Sequence, residues 1–212
     1  KNKKMLTELA CYNQDTTYED ILQSVFWATQ KSVELVALPS GFMPRVSDFL
    51  EHQKFSAAID FPYGLSNTEV RVHEIILAAR QGASFVDLVI NSGFIKEKNW
   101  SRIRKDLKAC LSACKQFGIE LRPIIEYRLF SLKDILFICE LLPKYGIQKI
   151  VNSTGFIADD IEENIKFSKK IVKKTDLGVI PCLRVADKYR LIELEEEGIE
   201  RIRLMSHKIL ED

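Results

Sequence analysis

The sequence is poor in the residues that mark unusual chain classes. Nine glycines and six prolines in 212 residues exclude collagen-like and low-complexity disordered chains. Only three histidines occur, His52, His73 and His207, and none shares a motif with a carboxylate, so no metal site is expected. The five cysteines, Cys11, Cys110, Cys114, Cys139 and Cys182, include no CxxC pair and no zinc-finger spacing. They read as buried free thiols in a reducing, cytoplasmic compartment. Long apolar runs are missing too. Val33 to Pro39 contains Glu34 and falls far short of a membrane span, and no hydrophobic signal core follows Lys1 to Lys4. Neither charge dominates: 31 lysines and arginines face 30 acidic residues, a net charge of +1. Nucleic acid and acidic membranes are therefore not expected partners. Trp27 and Trp100 accordingly read as helix-packing residues rather than a base-stacking platform.

What is present is a rhythm. Short runs rich in valine and isoleucine alternate with amphipathic stretches. Strands are expected at Met5–Ala10, Glu34–Leu38, Phe55–Phe61, Phe85–Ile90, Glu120–Ile125, Gln148–Val151, Leu177–Pro181 and Glu200–Leu204. Helices are expected from Thr17, over Arg45–His52, Asn67–Gln81, Lys98–Phe117, Leu132–Leu142, Asp159–Lys173 and Ala186–Glu196. Eight strands alternating with helices imply a single α/β domain over residues 1–212, a compact (β/α)8 TIM barrel. Few residues follow strand eight, so its outer helix is expected to be truncated or absent. The flank of strands eight and one would then be covered by a second subunit, as a homodimer, or by the Lys1–Lys4 arm. The alternative is an open doubly wound sheet. It would carry a glycine-rich phosphate turn after strand one, but Cys11-Tyr12-Asn13-Gln14 has no glycine.

Several segments then occur in a telling order. Gly82-Ala83-Ser84-Phe85-Val86-Asp87-Leu88-Val89-Ile90-Asn91 ends at strand four. Phe61-Pro62-Tyr63-Gly64 follows Asp60, Ile124-Ile125-Glu126 follows strand five, and Ser153-Thr154-Gly155-Phe156 follows strand six. Asp15 to Ile21 opens the first helix. Together, from about Leu6 to His207, these resemble the deoxyribose-phosphate aldolase family. Asp60 stands where the family has a glycine. The resemblance implies class I aldol chemistry without a cofactor: cleavage of 2-deoxyribose 5-phosphate to glyceraldehyde 3-phosphate and acetaldehyde. In that chemistry one barrel lysine forms a Schiff base, a second lowers its pKa, and an aspartate helps move the proton.

The pattern departs at both lysines. The nucleophile position holds Val151 and the second lysine position holds Ile180. The glycine pair of the phosphate loop is replaced by Leu183-Arg184, whose bulk would crowd backbone donors. The proton-transfer aspartate matches Asp87, and a third barrel lysine matches Arg122. Strand alternation puts Arg122, Ile124 and Glu126 on one face, so Asp87, Arg122 and Glu126 are expected to meet in one interior ion network near the mouth. Two readings of that network stand, an inherited structural one and one with Asp87 as acid or base. Arg184 with Ser206, which matches a serine of the phosphate loop, forms a candidate anion site. Thr154 and Asp60 complete the candidate ligand residues, for a small phosphorylated metabolite. The expected protein is thus a barrel of the aldolase type without Schiff-base activity. The alternative is an active lyase on a sugar phosphate, using a relocated lysine (Lys149 or Lys96) or the carboxylates Asp87, Glu126 and Asp60, with a hydroxyl from Tyr12 or Tyr127.

Overall fold

A computed structural model describes residues 4–157, 160–184 and 186–210. Nine parallel strand segments carry the chain: β1 (Leu6–Ala10), β2 (Leu35–Pro39), β3 (Lys54–Ile59), β4 (Phe85–Val89), β5 (Glu120–Ile124), β6 (Lys149–Val151), β7 (Gly178–Ile180), β8 (Cys182–Leu183) and β9 (Arg201–Leu204). The helices between them are α1 (Tyr18–Gln30), α2 (Thr68–Arg80), α3 (Ser92–Lys96), α4 (Trp100–Phe117), α5 (Leu132–Leu141), α6 (Ile161–Lys174) and α7 (Lys188–Glu196). Around the sheet the order is β7-β6-β5-β4-β3-β2-β1-β9-β8. Since β7 and β8 are consecutive in the chain, the two ends of this order meet and the sheet closes as an α/β TIM barrel.

The one-strand expectation for Leu177–Pro181 is corrected. Pro181 has no N–H and divides the strand into β7, which pairs with β6, and β8, which pairs with β9. The expected helix over Arg45–His52 is a 3-10 helix over Ser40–Phe49, with Pro44 inside it. The helix expected from Asp159 begins at Ile161; Asp159 itself lies outside the described residues.

Local chemistry sets the helix starts. The Thr17 hydroxyl accepts from the Asp20 N–H at 3.2 Å, and the Asp20 carboxylate accepts from the Thr17 N–H at 2.7 Å, a reciprocal cap for α1. Asp160 and Asp187 cap α6 and α7 in the same role. Burial then separates two shells. Residues such as Val36, Leu88, Ile150 and Ile202 point outward to the helices, while their strand neighbours Ala37, Val89, Val151 and Arg203 point into the barrel. A 3-10 turn, His207–Leu210, follows β9. Ile209 and Leu210 pack on the outer core, and the His207 Nδ1 lies 3.2 Å from the Ser24 hydroxyl on α1. This turn covers part of the flank between strands eight and one. Of the Lys1–Lys4 arm, Lys1 to Lys3 lie outside the described residues. Among the described residues no helix is long and apolar enough to cross a membrane.

Candidate functional site

The middle of the barrel holds a sealed layer of charge. Glu8 from β1, Asp87 from β4, Arg122 from β5 and Arg203 from β9 all point inward and are essentially inaccessible. Arg122 donates from Nε to Asp87 Oδ1 at 2.9 Å and from Nη2 to Oδ2 at 3.1 Å, and its Nη1 donates to Glu8 at 2.7 Å. Arg203 donates to Glu8 from Nη2 at 2.6 Å and lies 2.8 Å from Asp87 Oδ2. Ser56 and Tyr12 donate their hydroxyl protons to the same Asp87 oxygen, at 2.6 and 3.4 Å. Two carboxylates and two guanidiniums thus balance in a space that excludes water, the condition under which buried charge persists.

This layer sets the proton affinity of Glu8. Burial alone would raise the Glu8 pKa, but the charges of Arg203 and Arg122 and the Arg203 hydrogen bonds outweigh it and hold the carboxyl at about 2, against 4.5. Burial pushes the Tyr12 phenol well above its ordinary value. For Arg203, burial opposes the charge, yet Asp87, Tyr12 and Glu8 keep the guanidinium more firmly protonated than usual. A depressed folded-state pKa means the unfolded chain binds the Glu8 proton first. The stability from Glu8 is therefore complete above pH 4.5 and is lost as pH falls toward about 2. The shift corresponds to about 3 kcal/mol. Urea unfolding of Glu8→Gln should show a flatter acid limb between those pH values than the parent protein; superimposable limbs would refute the assignment.

Above the charged layer, toward the C-terminal ends of the strands, the interior turns apolar. Val89, Ile124, Val151, Ile180 and Met205 fill it together with Ala58 and Cys182. Val151 and Ile180, where the resemblance places the two lysines, are 0% and 1% exposed. An aromatic row lies over them: Tyr12 meets Phe61 at 4.3 Å between ring centroids, and Phe61 meets Phe156 edge-on at 5.4 Å. Outside this row a cleft of about 360 Å³ opens at the mouth, with Asn13, Gln14, Ser40 and Glu74 among its polar walls. A second cleft of about 250 Å³ shares Asn13 and Thr16 with it and reaches Asp15, Asp20, Ser206, His207 and Lys208.

The structure brings Asp87 and Arg122 together but corrects the position of Glu126. β5 ends at Ile124, so the face alternation no longer governs Glu126. Its carboxylate accepts from the Thr154 N–H at 3.0 Å and from the Thr154 hydroxyl, and it bonds to neither Asp87 nor Arg122. Thr154 is thereby turned to Glu126 and buried. Asp60 accepts from the Ser66 N–H and hydroxyl, each at 2.8 Å, and approaches Arg71 at 3.5 Å. It holds the mouth turn, where Gly64 takes a φ of 66° and a Cβ would sit 2.8 Å from the Val89 carbonyl oxygen. Arg184 is exposed and donates to the Gly155 carbonyl at 2.8 Å, while the Ser206 hydroxyl accepts from the Lys208 N–H at 3.2 Å. Lys96 lies 5.6 Å from the Phe130 ring, and Lys149 sits at the opposite end of the barrel from the mouth. Tyr127 stacks on Phe167 at 4.3 Å. All five cysteines are buried free thiols; burial pushes Cys110, Cys114, Cys139 and Cys182 up to about 12 and Cys11 to about 11.

Sequence reasoning missed Glu8, Arg203 and Glu74. Arg201 and Arg203 alternate in β9 as Arg122 and Ile124 do in β5, and charge at inward strand positions was the available sign. Glu74 gave none: it reaches the mouth from α2, accepting from the Ser40 hydroxyl at 2.6 Å and the Asp60 N–H at 2.9 Å.

No protein-family model matches the chain. Individual relatives do. A deoxyribose-phosphate aldolase of Aciduliprofundum boonei is 31% identical over 204 residues, covering 92% of this chain and 91% of its own. The chain belongs to the deoxyribose-phosphate aldolase family. A deoxyribose-phosphate aldolase of Histophilus somni agrees, at 30% identity over 191 residues, 89% of this chain and 84% of its own. The fold is shared with solved aldolases. One is described as a tetrameric deoxyribose phosphate aldolase from Aeropyrum pernix, with a TM-score of 0.82 at 20% identity over 98% of this chain and 87% of that one. Another, the aldolase QR15, has a TM-score of 0.81 at 22% identity over 97% and 91%. Within this family, Val151 and Ile180 are aliphatic where the resemblance places the reacting lysines.

Proposed function

We propose that this family member does not carry out Schiff-base aldol cleavage and instead binds a small phosphorylated metabolite at its barrel mouth. The observation that carries the first half is the burial of Val151 and Ile180 in one apolar layer with Ile124 and Val89. Neither side chain can attack a carbonyl or carry a proton. A lysine at such a position would need charged neighbours to tune it. Here the inward charges are already paired among themselves one layer below. The carboxylates of an alternative acid–base mechanism support it poorly, because Asp87, Glu126 and Asp60 belong to three separate hydrogen-bond sets.

The second half is supported by the adjoining clefts at the mouth and by cations on that rim. Lys208 lies two positions after Ser206, and Arg184 follows β8, where barrel enzymes frequently bind phosphate. The test incubates the protein at high concentration with 2-deoxyribose 5-phosphate, assays acetaldehyde, and reduces with borohydride before mass spectrometry. The expected result is no acetaldehyde and no adduct, with saturable calorimetric binding of the sugar phosphate that weakens in Arg184→Ala. Turnover with a reduced lysine adduct would overturn the proposal, and the modified lysine would locate the displaced nucleophile.

A further inference from the structure

The barrel wall has an opening at the end away from the mouth, and Pro181 makes it. In a parallel ladder, alternate residues of a strand bond opposite neighbours. Gly178 donates its N–H to the Gln148 carbonyl at 2.9 Å, and the Ile180 carbonyl accepts from Asn152 at 3.2 Å. Val179 and Pro181 therefore turn their backbone groups to β9. The Pro181 carbonyl is used there, accepting from the Arg203 N–H at 2.8 Å. Proline brings no N–H to the Arg201 carbonyl. Below that point β7 and β9 share no hydrogen bond among the described residues. The strands part, and the N–H groups of Val179 and Arg201 border a cleft of about 510 Å³.

That volume lies in the range of small-ligand sites. Leu6, Val172, Val179 and Ile199 supply apolar wall, and Gly178 leaves space where another residue would project beside Lys149. Four cations line the cleft, against the carboxylates Glu197 and Glu200. Glu197 is held by Lys169 at 2.7 Å and by Arg190 at 2.6 Å. Arg201 is paired with Glu8 at 3.1 Å and with Glu34. Among the described residues Lys149 and Lys173 have no carboxylate partner. Apolar walls, two such ammonium groups and two strand-edge N–H donors form one binding surface.

We infer that this cleft binds a small organic carboxylate with an aromatic or aliphatic body. The body packs between Val172 and Ile199, and the carboxylate takes the ammonium groups of Lys149 and Lys173 together with the edge N–H groups. The site lies away from the mouth and does not depend on the function proposed there.

The test titrates 15N-labelled protein with naphthalene-2-carboxylate and, separately, with the neutral naphthalene-2-methanol. Saturable shifts are expected at the Val179, Ile199 and Arg201 amides, with the carboxylate bound about tenfold more tightly than the alcohol. Gly178→Val, whose side chain grows into the cleft from an ordinary backbone conformation, should weaken both ligands about tenfold. The double variant Lys149→Gln, Lys173→Gln, which removes charge from one half-buried and one exposed side chain, should retain the alcohol and lose the preference for the carboxylate. Shifts confined to the mouth or absent altogether, equal affinity for the two ligands, or an unchanged preference in the lysine variant would each overturn the proposal. The lysine variant decides the matter if Gly178→Val fails to fold.

Discussion

Asp87→Ala should lose about 3–5 kcal/mol of unfolding free energy, the range for removing one partner from a buried ion pair. The Asp87 carboxylate receives two hydrogen bonds from Arg122, hydroxyl bonds from Ser56 and Tyr12, and the charge of Arg203. Deleting it leaves two buried guanidiniums facing the single carboxylate of Glu8. For a chain of this length that loss lowers the melting temperature by about 10 °C. Asp87→Asn should be nearly as damaging, since the amide keeps the shape and loses the charge. Urea denaturation of both variants beside the parent is the measurement. Unchanged unfolding midpoints would mean the network is not the structural device described above. Replacement of all four charged residues of the layer by apolar residues of matched volume need not be destabilising, because the cost arises from stranding a charge rather than from losing a bond.

Val151→Lys should also be strongly destabilising and should not by itself yield a Schiff base. The side chain would enter an apolar layer at a site with no accessible surface. Desolvation there disfavours the ammonium and depresses its pKa by as much as 3–5 units, equivalent to about 4–7 kcal/mol. Among the described residues no inward carboxylate stands ready to compensate, because Asp87 already neutralises guanidinium charge and Glu126 turns to Thr154. The sign follows from linkage. A lysine whose folded-state pKa is depressed leaves the unfolded chain with more bound protons, so stability rises with pH up to the unfolded value near 10.4. The deficit relative to the parent should therefore be larger at pH 7 than at pH 10 in parallel urea titrations. Wild-type stability at pH 7, together with a borohydride-trapped adduct at position 151, would show that the site still tolerates the reacting amine.

The buried layer explains why so much of the fold was legible and so much of the site was not. Strand alternation and helical spacing are local properties, so the order of βα units, the Thr17–Asp20 cap and the inward direction of Asp87 and Arg122 could be read directly from the chain. The family motifs located Val151 and Ile180 for the same reason: each motif is a short contiguous stretch. Which charges meet is not local. Glu8 and Arg203 are 195 positions apart and become partners only because β1 and β9 lie side by side in the closed barrel. Glu126 misled because two residues past the end of a strand are enough to release a side chain from the face rule.

Taken alone, the amino-acid order determined a barrel of alternating strands and helices, its family, and that Val151 and Ile180 are aliphatic where the resemblance places the reacting lysines. Tertiary structure decided the rest: that Asp87 is neutralised within a four-charge layer, that Tyr12, Phe61 and Phe156 cover the apolar positions above it, and that Pro181 opens the wall beside β9. The division has one physical cause. Periodicity and motif chemistry are carried by neighbours in the chain, whereas charge pairing, aromatic cover and a missing ladder bond depend on which distant segments the closed sheet brings into contact.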